Sequence, residues 1–122
     1  MVEDEVLEKA IAAHARWKAR LRTAANTGKF DVPTATVRAD NQCEFGKWLY
    51  GPGLSAAERQ TANYVDVKQL HAQFHQEAAK VVDLASSGQK TEAEKAIGMG
   101  GNYAKSSSAL TSAMIKWRES LH

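Results

Sequence analysis

Cysteine is almost absent from this sequence, since Cys43 is the only one in 122 residues. A single cysteine excludes an intrachain disulfide, so Cys43 is a buried apolar filler, a metal ligand or a reactive thiol. Long apolar runs are also missing, because none approaches the length of about 18 residues that crosses a bilayer. The N-terminal stretch MVEDEVLEKA is acidic, unlike the start of a signal peptide. We therefore expect a cytoplasmic, soluble protein without membrane insertion.

The chain also lacks a strong charge of one sign. Its net charge is +2, and acidic residues lie between the basic ones along the whole sequence. No basic stripe emerges that would bind a phosphate backbone, so we expect no nucleic-acid partner. The hydrophobic fraction of 43% is enough for a core, and the length fits one domain. We predict a single domain over residues 1–122.

Hydrophobic periodicity predicts helices and no strands. Apolar residues recur at spacings of three and four, as on one face of a helix. The predicted fold is all-α: a four-helix bundle with a short extra helix that carries the cysteine. The predicted helical segments are Glu3–Ala25, Cys43–Tyr50, a short turn after Ser55, Ala62–Ser86 and Thr91–Ser120. We expect the last of these to continue through Gly98, Gly100 and Gly101.

Polar residues mark the expected helix starts. Asp40 or Asn41 is a plausible N-cap for the short helix with the cysteine. Ser55 with Glu58, and Thr91 with Glu94, have the spacing of a capping box. The polar stretch 29–41, broken by Pro33, is expected to be an irregular connection.

Three histidines fall on predicted apolar faces. His71 and His75 are four residues apart, which places both imidazoles on one side of a helix, one turn apart. Two nitrogens in that arrangement can reach one metal ion. His14 lies between Ile11 and Trp17 on another apolar stripe. Each observation alone is also compatible with ordinary buried histidines that are bonded to carbonyls or water.

The combination favours a metal site. Three histidines on core faces are costly to bury without partners, and one metal ion would satisfy all three. Cys43 would be the fourth ligand, as a thiolate. Three imidazoles and one thiolate suit Zn²⁺ far better than Mg²⁺ or Ca²⁺, although copper(I) or nickel would compete in vitro. The metal ligands predicted in this way are His14, Cys43, His71 and His75. His122, at the chain end, is not expected to take part.

Three blocks of sequence resemble one known family. They read HARWKARL, CEFGKWLYGPG and HAQFH. These blocks closely resemble the chemoreceptor zinc-binding domain, or CZB, whose members read H-x-x-W-K, then C-x-x-G-K-W-L-Y-G, then H-A-x-F-H. The matching core runs from about Ile11 to Ala85. After Gly88 the likeness is only in general helical character.

The resemblance implies a zinc site formed by His14, Cys43, His71 and His75. It also implies a helical bundle, usually homodimeric, in bacterial cytoplasmic sensory proteins. The chain is then either a piece of a longer parent protein or a stand-alone member of the family. In a parent protein, its partner would be the signalling region of a chemoreceptor or a diguanylate cyclase domain. The expected function is a redox switch, in which oxidants such as hypochlorous acid attack the zinc-bound thiolate of Cys43. The alternative is a zinc-occupancy sensor that uses the same site.

Other classes of helical protein fit less well. A histidine phosphotransfer module needs an exposed histidine followed closely by lysine and glycine, whereas His14 lies on an apolar stripe. A di-iron bundle needs carboxylates at helical spacing from the histidines, and Glu77 follows His75 by only two residues. A closed four-ligand zinc site also argues against an enzyme.

The surroundings of the site can be anticipated only in outline. The aromatic residues are expected to be packing rather than a cofactor pocket. Asp40 and Asp66 are candidate partners for the second nitrogens of the histidines. Gly46 is expected to allow close approach to a long helix. The segment with Cys43, between Pro33 and the GPG stretch, is expected to have few contacts of its own.

Overall fold

In a computed structural model that describes residues 3–122, the chain folds into helices, and no strand occurs in that range. The all-α prediction is confirmed. Met1 and Val2, which the expected domain 1–122 includes, lie outside the described residues. The helices are α1 Asp4–Thr27, α2 Thr34–Arg38, α3 Glu44–Leu49, α4 Ala56–Arg59, α5 Ala62–Ser86, α6 Lys90–Ile97 and α7 Asn102–Glu119.

The two longest helices begin and end where their terminal residues favour it. Helix α1 has Asp4 and Glu5 in its first turn, where carboxylates complement the helix dipole. It ends at Gly28, whose positive φ of 74° is the left-handed conformation that glycine adopts freely. Helix α5 begins after Thr61, whose hydroxyl accepts a hydrogen bond from the backbone N–H of Tyr64. Its observed bounds are those predicted.

Helix α5 is the centre of the bundle. It packs against α1, α2, α6 and α7, while α1 and α7 also pack against each other. The apolar stripes of the three long helices meet in one core, in which many side chains are fully buried: Leu7, Leu21, Val67, Phe74, Leu110 and Met114. Since α1 and α5 hold the three histidines, the predicted metal ligands lie inside this core. Among residues 3–122, no helix has the length and apolar character needed to cross a bilayer.

The prediction of one continuous helix from Thr91 to Ser120 is wrong. The chain leaves the helical path between α6 and α7, and Gly100 there has a φ of 82°. The turn folds back closely on α6: a Cβ on Gly101 would lie 2.2 Å from the carbonyl oxygen of Lys95. The glycines therefore form a tight turn. Nor does Thr91 cap α6, which follows Gln89 without a side-chain capping bond.

Two other local predictions have opposite outcomes. The stretch 29–41 is not wholly irregular, because α2 forms directly after Pro33, and Val37 in it is buried against the core. By contrast, the capping box of Ser55 and Glu58 is confirmed, with both reciprocal hydrogen bonds present at the start of α4.

The turn between α6 and α7 leads to a test of stability. We expect Gly101→Ala to lower the free energy of unfolding by about 1–3 kcal/mol, because the added methyl group must displace backbone atoms of α6. Gly53→Ala is the matched control, since a Cβ there meets no atom within 4 Å. It should change stability by less than about 0.5 kcal/mol. Urea unfolding followed by circular dichroism measures both. Equal stability of the two variants would contradict this description of the turn.

Candidate metal centre

Cys43 lies at the N-cap of the short helix α3. Its Sγ accepts a hydrogen bond from the backbone N–H of Gly46 at 3.3 Å, so the sulfur takes the place of the usual capping oxygen. The prediction that Asp40 or Asn41 caps this helix is therefore wrong. The carboxylate of Asp40 instead accepts a hydrogen bond from the hydroxyl of Tyr50 at 2.5 Å.

Helix α3 is well anchored, contrary to the expectation of few contacts. Phe45 and Leu49 are buried in the core, and the Leu49 carbonyl accepts a hydrogen bond from the hydroxyl of Tyr64 in α5 at 2.8 Å. Trp48 packs against Trp117 of α7, with 5.7 Å between ring centroids. The position of Cys43 is thus fixed by contacts that do not involve a metal.

Gly46 allows the loop that precedes α3 to pack closely against the start of this helix. A Cβ at this position would lie 1.8 Å from the carbonyl oxygen of Asp40. The close approach is therefore to the preceding loop, and not to a long helix as expected. Only glycine allows the loop 39–42 to fold over the start of α3, which brings Cys43 toward α5.

The structure brings all four predicted residues together. Histidines 14, 71 and 75 are 3%, 0% and 2% exposed, whereas Cys43 is only partly buried. The four side chains each offer one ligand atom, and these atoms all lie within 4.8 Å of one another. The Nε2 atoms of His71 and His75 are 3.0 Å apart. The sulfur of Cys43 lies 3.4 Å from the first of these nitrogens and 3.6 Å from the second.

Backbone carbonyls orient two of the imidazoles. Nδ1 of His14 lies 2.7 Å from the carbonyl oxygen of Ala10, and Nδ1 of His75 lies 2.8 Å from that of Val37. A carbonyl only accepts, so each Nδ1 carries the proton and each Nε2 presents a lone pair. This is the orientation that metal-bound histidines adopt. The expected carboxylate partners, Asp40 and Asp66, do not take this role.

The donor atoms fit a zinc ion. Nε2 of His14 is buried and has no hydrogen-bond partner among residues 3–122, which is costly unless something binds it. A tetrahedral zinc ion with ordinary bond lengths needs nitrogen donors about 3.3 Å apart and nitrogen and sulfur about 3.6 Å apart. The observed separations among His71, His75 and Cys43 of 3.0, 3.4 and 3.6 Å lie close to these values, and the donor atom of His14 lies within 4.8 Å of the other three. Four donors would complete the coordination and leave no open position.

Burial sets the protonation of the histidines. It lowers the pKa of His14 to about 4 and that of His71 to about 2, because the charged imidazolium loses its hydration in the core. The pKa of His75 is also lowered, again chiefly by burial. All three imidazoles are therefore neutral at pH 7, which is the form that binds a metal.

The thiol of Cys43 behaves differently. Burial raises its pKa, and this outweighs the N–H group of Gly46, which acts in the opposite direction. The start-of-helix position favours the anion, but it does not by itself make Cys43 a thiolate. Bound zinc would supply the missing stabilisation, since it holds a coordinating thiol deprotonated.

Aromatic rings enclose the donor cluster. Phe74 meets the ring of His14 edge-on at 5.0 Å between centroids, and Phe45 meets that of His71 at 5.2 Å. These contacts agree with the packing interpretation of the aromatic residues.

Sequence reasoning missed the backbone carbonyls that orient His14 and His75. That of Ala10 follows from the helix, since it lies one turn before His14, but nothing in the sequence pointed to Val37.

The comparison with protein families agrees with the geometry. The family model described as "Chemoreceptor zinc-binding domain" matches residues 14–82, which is more than half of the chain and contains all four donors. No curated protein and no solved structure matches the chain.

The unpaired ring nitrogens lead to a test of how stability depends on the metal. Nδ1 of His71 is buried without a partner among the described residues, and a metal at Nε2 would not supply one, so His71 costs stability that only metal binding can offset. In excess chelator we expect His71→Leu to raise the free energy of unfolding by about 1 kcal/mol. In saturating zinc the same variant should be several kcal/mol less stable than the parent, since binding stabilises only the intact site.

The control for this reversal is His122→Leu. His122 is exposed and interacts with Asp4, away from the donor cluster. Replacing it should change the free energy of unfolding by the same amount in zinc and in chelator. Thermal unfolding in both conditions provides the measurement. If His71→Leu is destabilising by the same amount in both, the buried histidines are structural and do not form a metal centre.

Proposed function

Because the chain belongs to the chemoreceptor zinc-binding domain family, we propose that it is a bacterial cytoplasmic sensory domain whose Cys43 is a redox switch for oxidants such as hypochlorous acid. The family is a sensory, zinc-binding one and not a catalytic one. The observation that carries the proposal is the difference in exposure among the four donors. The three histidines are almost fully buried, whereas Cys43 is only partly buried.

Exposure decides where an oxidant reacts. A groove beside α1 is lined by Cys43 and, of the three histidines, by His14 alone, so a small oxidant in solution can approach the cysteine through it. Thiolate is also the most nucleophilic of the four donors. Bound zinc would keep Cys43 in that form at neutral pH, which its raised pKa would otherwise oppose.

The oxidation itself is a two-electron step. The thiolate sulfur attacks the chlorine of hypochlorous acid, an S–Cl bond forms, the O–Cl bond breaks and hydroxide leaves. Water then displaces chloride from sulfur to give the sulfenic acid, so sulfur is oxidised by two electrons and chlorine is reduced to chloride. The product has lost the negative charge of the thiolate, so it is a much weaker metal ligand. The three histidines would remain as donors.

The contacts of Cys43 indicate where the change would spread. Its sulfur caps α3 through Gly46, and the loop 39–42 lies against the same glycine. The far end of α3 is held by Tyr64 and by Trp48 against Trp117. A displacement of Cys43 would therefore tilt α3 about this held end and reach α7 through the two tryptophans. In this way a change at sulfur would alter the packing of the long helices.

A zinc-occupancy sensor is the alternative that a specific observation favours. His75 is bonded to the carbonyl of Val37, so loss of metal would leave α2 connected to an unsatisfied cluster. The bundle would then loosen when zinc is removed, without any oxidation. A histidine phosphotransfer module is the remoter alternative. It is disfavoured because the histidine that it needs must be exposed, whereas His14 is 3% exposed.

The partners follow from the family alone. We expect a homodimer, and in a parent protein the signalling region of a chemoreceptor or a diguanylate cyclase domain. The output would then be chemotaxis or cyclic-di-GMP signalling.

The redox switch predicts that Cys43→Ser abolishes the oxidant response. Zinc-loaded protein treated with one equivalent of hypochlorous acid should release zinc and change its tryptophan fluorescence, because Trp48 is in the helix that Cys43 caps. The variant should show neither change. Both proteins should carry Met99→Leu, since Met99 is fully exposed and methionine is itself readily oxidised.

Two outcomes would oppose this account. A full oxidant-dependent change in Cys43→Ser would rule out Cys43 as the switch. Zinc-loaded protein in which Cys43 resists hypochlorous acid would favour the occupancy sensor instead.

A further inference from the structure

Cys43 is reached from solvent by two openings. The larger, which we call the access groove, has a volume of about 660 Å³ and lies between α1 and α3, with Cys43 and His14 among its lining residues. A smaller opening of about 220 Å³ reaches Cys43 and His75 from the other side. Trp17 and Arg20 line both openings, so they stand between them.

The access groove has mostly apolar walls and a positively charged rim. Its walls include Ala10, Ala13, Trp17, Phe45 and Trp48. Three cationic side chains and one anionic one also line it: Lys9, Arg16, Arg20 and Glu44. The potential in a narrow cleft with apolar walls is stronger than on an open surface, because few water molecules screen it. A cation that no carboxylate neutralises would therefore attract small anions into this groove.

The cations of the rim differ in how far they are neutralised. Lys9 pairs with Glu5 at 3.0 Å. The guanidinium of Arg20 bonds to Asp31 at 3.3 Å and lies 4.5 Å from the ring centroid of Trp17. Arg16 is exposed and is in no ion pair within residues 3–122. Its charge is thus the cationic charge of the groove that remains available to an incoming anion, and Glu44, likewise in no ion pair in that range, is the negative charge that opposes it.

We propose that the access groove selects small, negatively charged two-electron oxidants for Cys43, with Arg16 as the main determinant of this preference. The inference rests on the proposed redox function and specifies the oxidant by its charge. For peroxymonosulfate, the thiolate sulfur attacks the terminal peroxide oxygen, an S–O bond forms, the O–O bond breaks and sulfate leaves. Sulfur is oxidised by two electrons and the peroxide is reduced. The guanidinium of Arg16 would attract this anion and not hydrogen peroxide, which is neutral.

Alkylation isolates the charge of the groove from the chemistry of oxidation. Iodoacetate and iodoacetamide react with Cys43 in the same way and are nearly equal in size, but only the first is charged. The fraction of Cys43 that is in the thiolate form affects both rates equally, so it cancels in their ratio. Mass spectrometry of the full-length chain, both zinc-loaded and chelated, follows the modification. We expect Arg16→Glu to lower the iodoacetate-to-iodoacetamide ratio by about two- to fivefold at low salt, and less at high salt.

The matched control is Arg22→Glu. Arg22 is an exposed arginine of the same helix, and it lines neither opening. The two variants have the same net charge, so an effect of total charge would appear in both. A ratio that is unchanged in Arg16→Glu, or changed equally in Arg22→Glu, would overturn the inference.

The oxidants themselves separate this inference from the proposed function. Zinc-loaded protein is treated with peroxymonosulfate or hydrogen peroxide, and the sulfenic acid of Cys43 is trapped with dimedone and counted by mass spectrometry. We expect the rate with peroxymonosulfate to fall about two- to fivefold in Arg16→Glu, while that with hydrogen peroxide stays the same. Oxidation by both reagents at rates independent of Arg16 would overturn the inference alone. No oxidation of Cys43 by either, with hypochlorous acid still effective, would overturn the oxidant preference alone. Resistance of Cys43 to hypochlorous acid as well would overturn the proposed function, and the oxidant preference with it.

Discussion

The convergence of three imidazole nitrogens and one sulfur inside the bundle is the constraint on which the rest of this structure depends. Neutral histidines in a core need a partner for each ring nitrogen, and the helices supply only part of what is required. Carbonyls satisfy Nδ1 of His14 and His75, but Nε2 of His14 faces the cluster without a partner among the described residues. One zinc ion would bind this nitrogen together with the other three donors, so the site and the stability of the core are expected to depend on the same ion.

The four donors come from three separate parts of the chain, so the site connects elements that are far apart in sequence. Helix α1 supplies one histidine, α5 supplies two, and the start of α3 supplies the cysteine. The cysteine is at once a donor and the cap of its helix. Because of this double role, a chemical modification of the Cys43 sulfur would alter both the metal site and the start of α3.

The three histidine donors could be predicted from the sequence because helical spacing places them on apolar faces, and Cys43 because it is the only cysteine available as a fourth ligand. The separation of His71 and His75 places both on one face, and the apolar stripe places His14 inward. The rest depends on tertiary contacts that periodicity does not encode. The break at Gly98–Gly101 could not be predicted, because glycine inside a helical pattern is compatible with either continuation or a break. Only the tertiary structure shows how closely the turn approaches Lys95. Helix α2 is a single short turn-like element whose position depends on the burial of Val37.

Metal content combined with thiol titration tests the central claim most directly. The protein should be purified without chelator and without metal-affinity resin, and zinc should be measured by mass spectrometry of the metal. We predict one zinc ion per chain, and a Cys43 that reacts with a bulky thiol reagent only slowly until a chelator is added. Protein that contains no zinc, with Cys43 titrating freely from the start, would contradict the account.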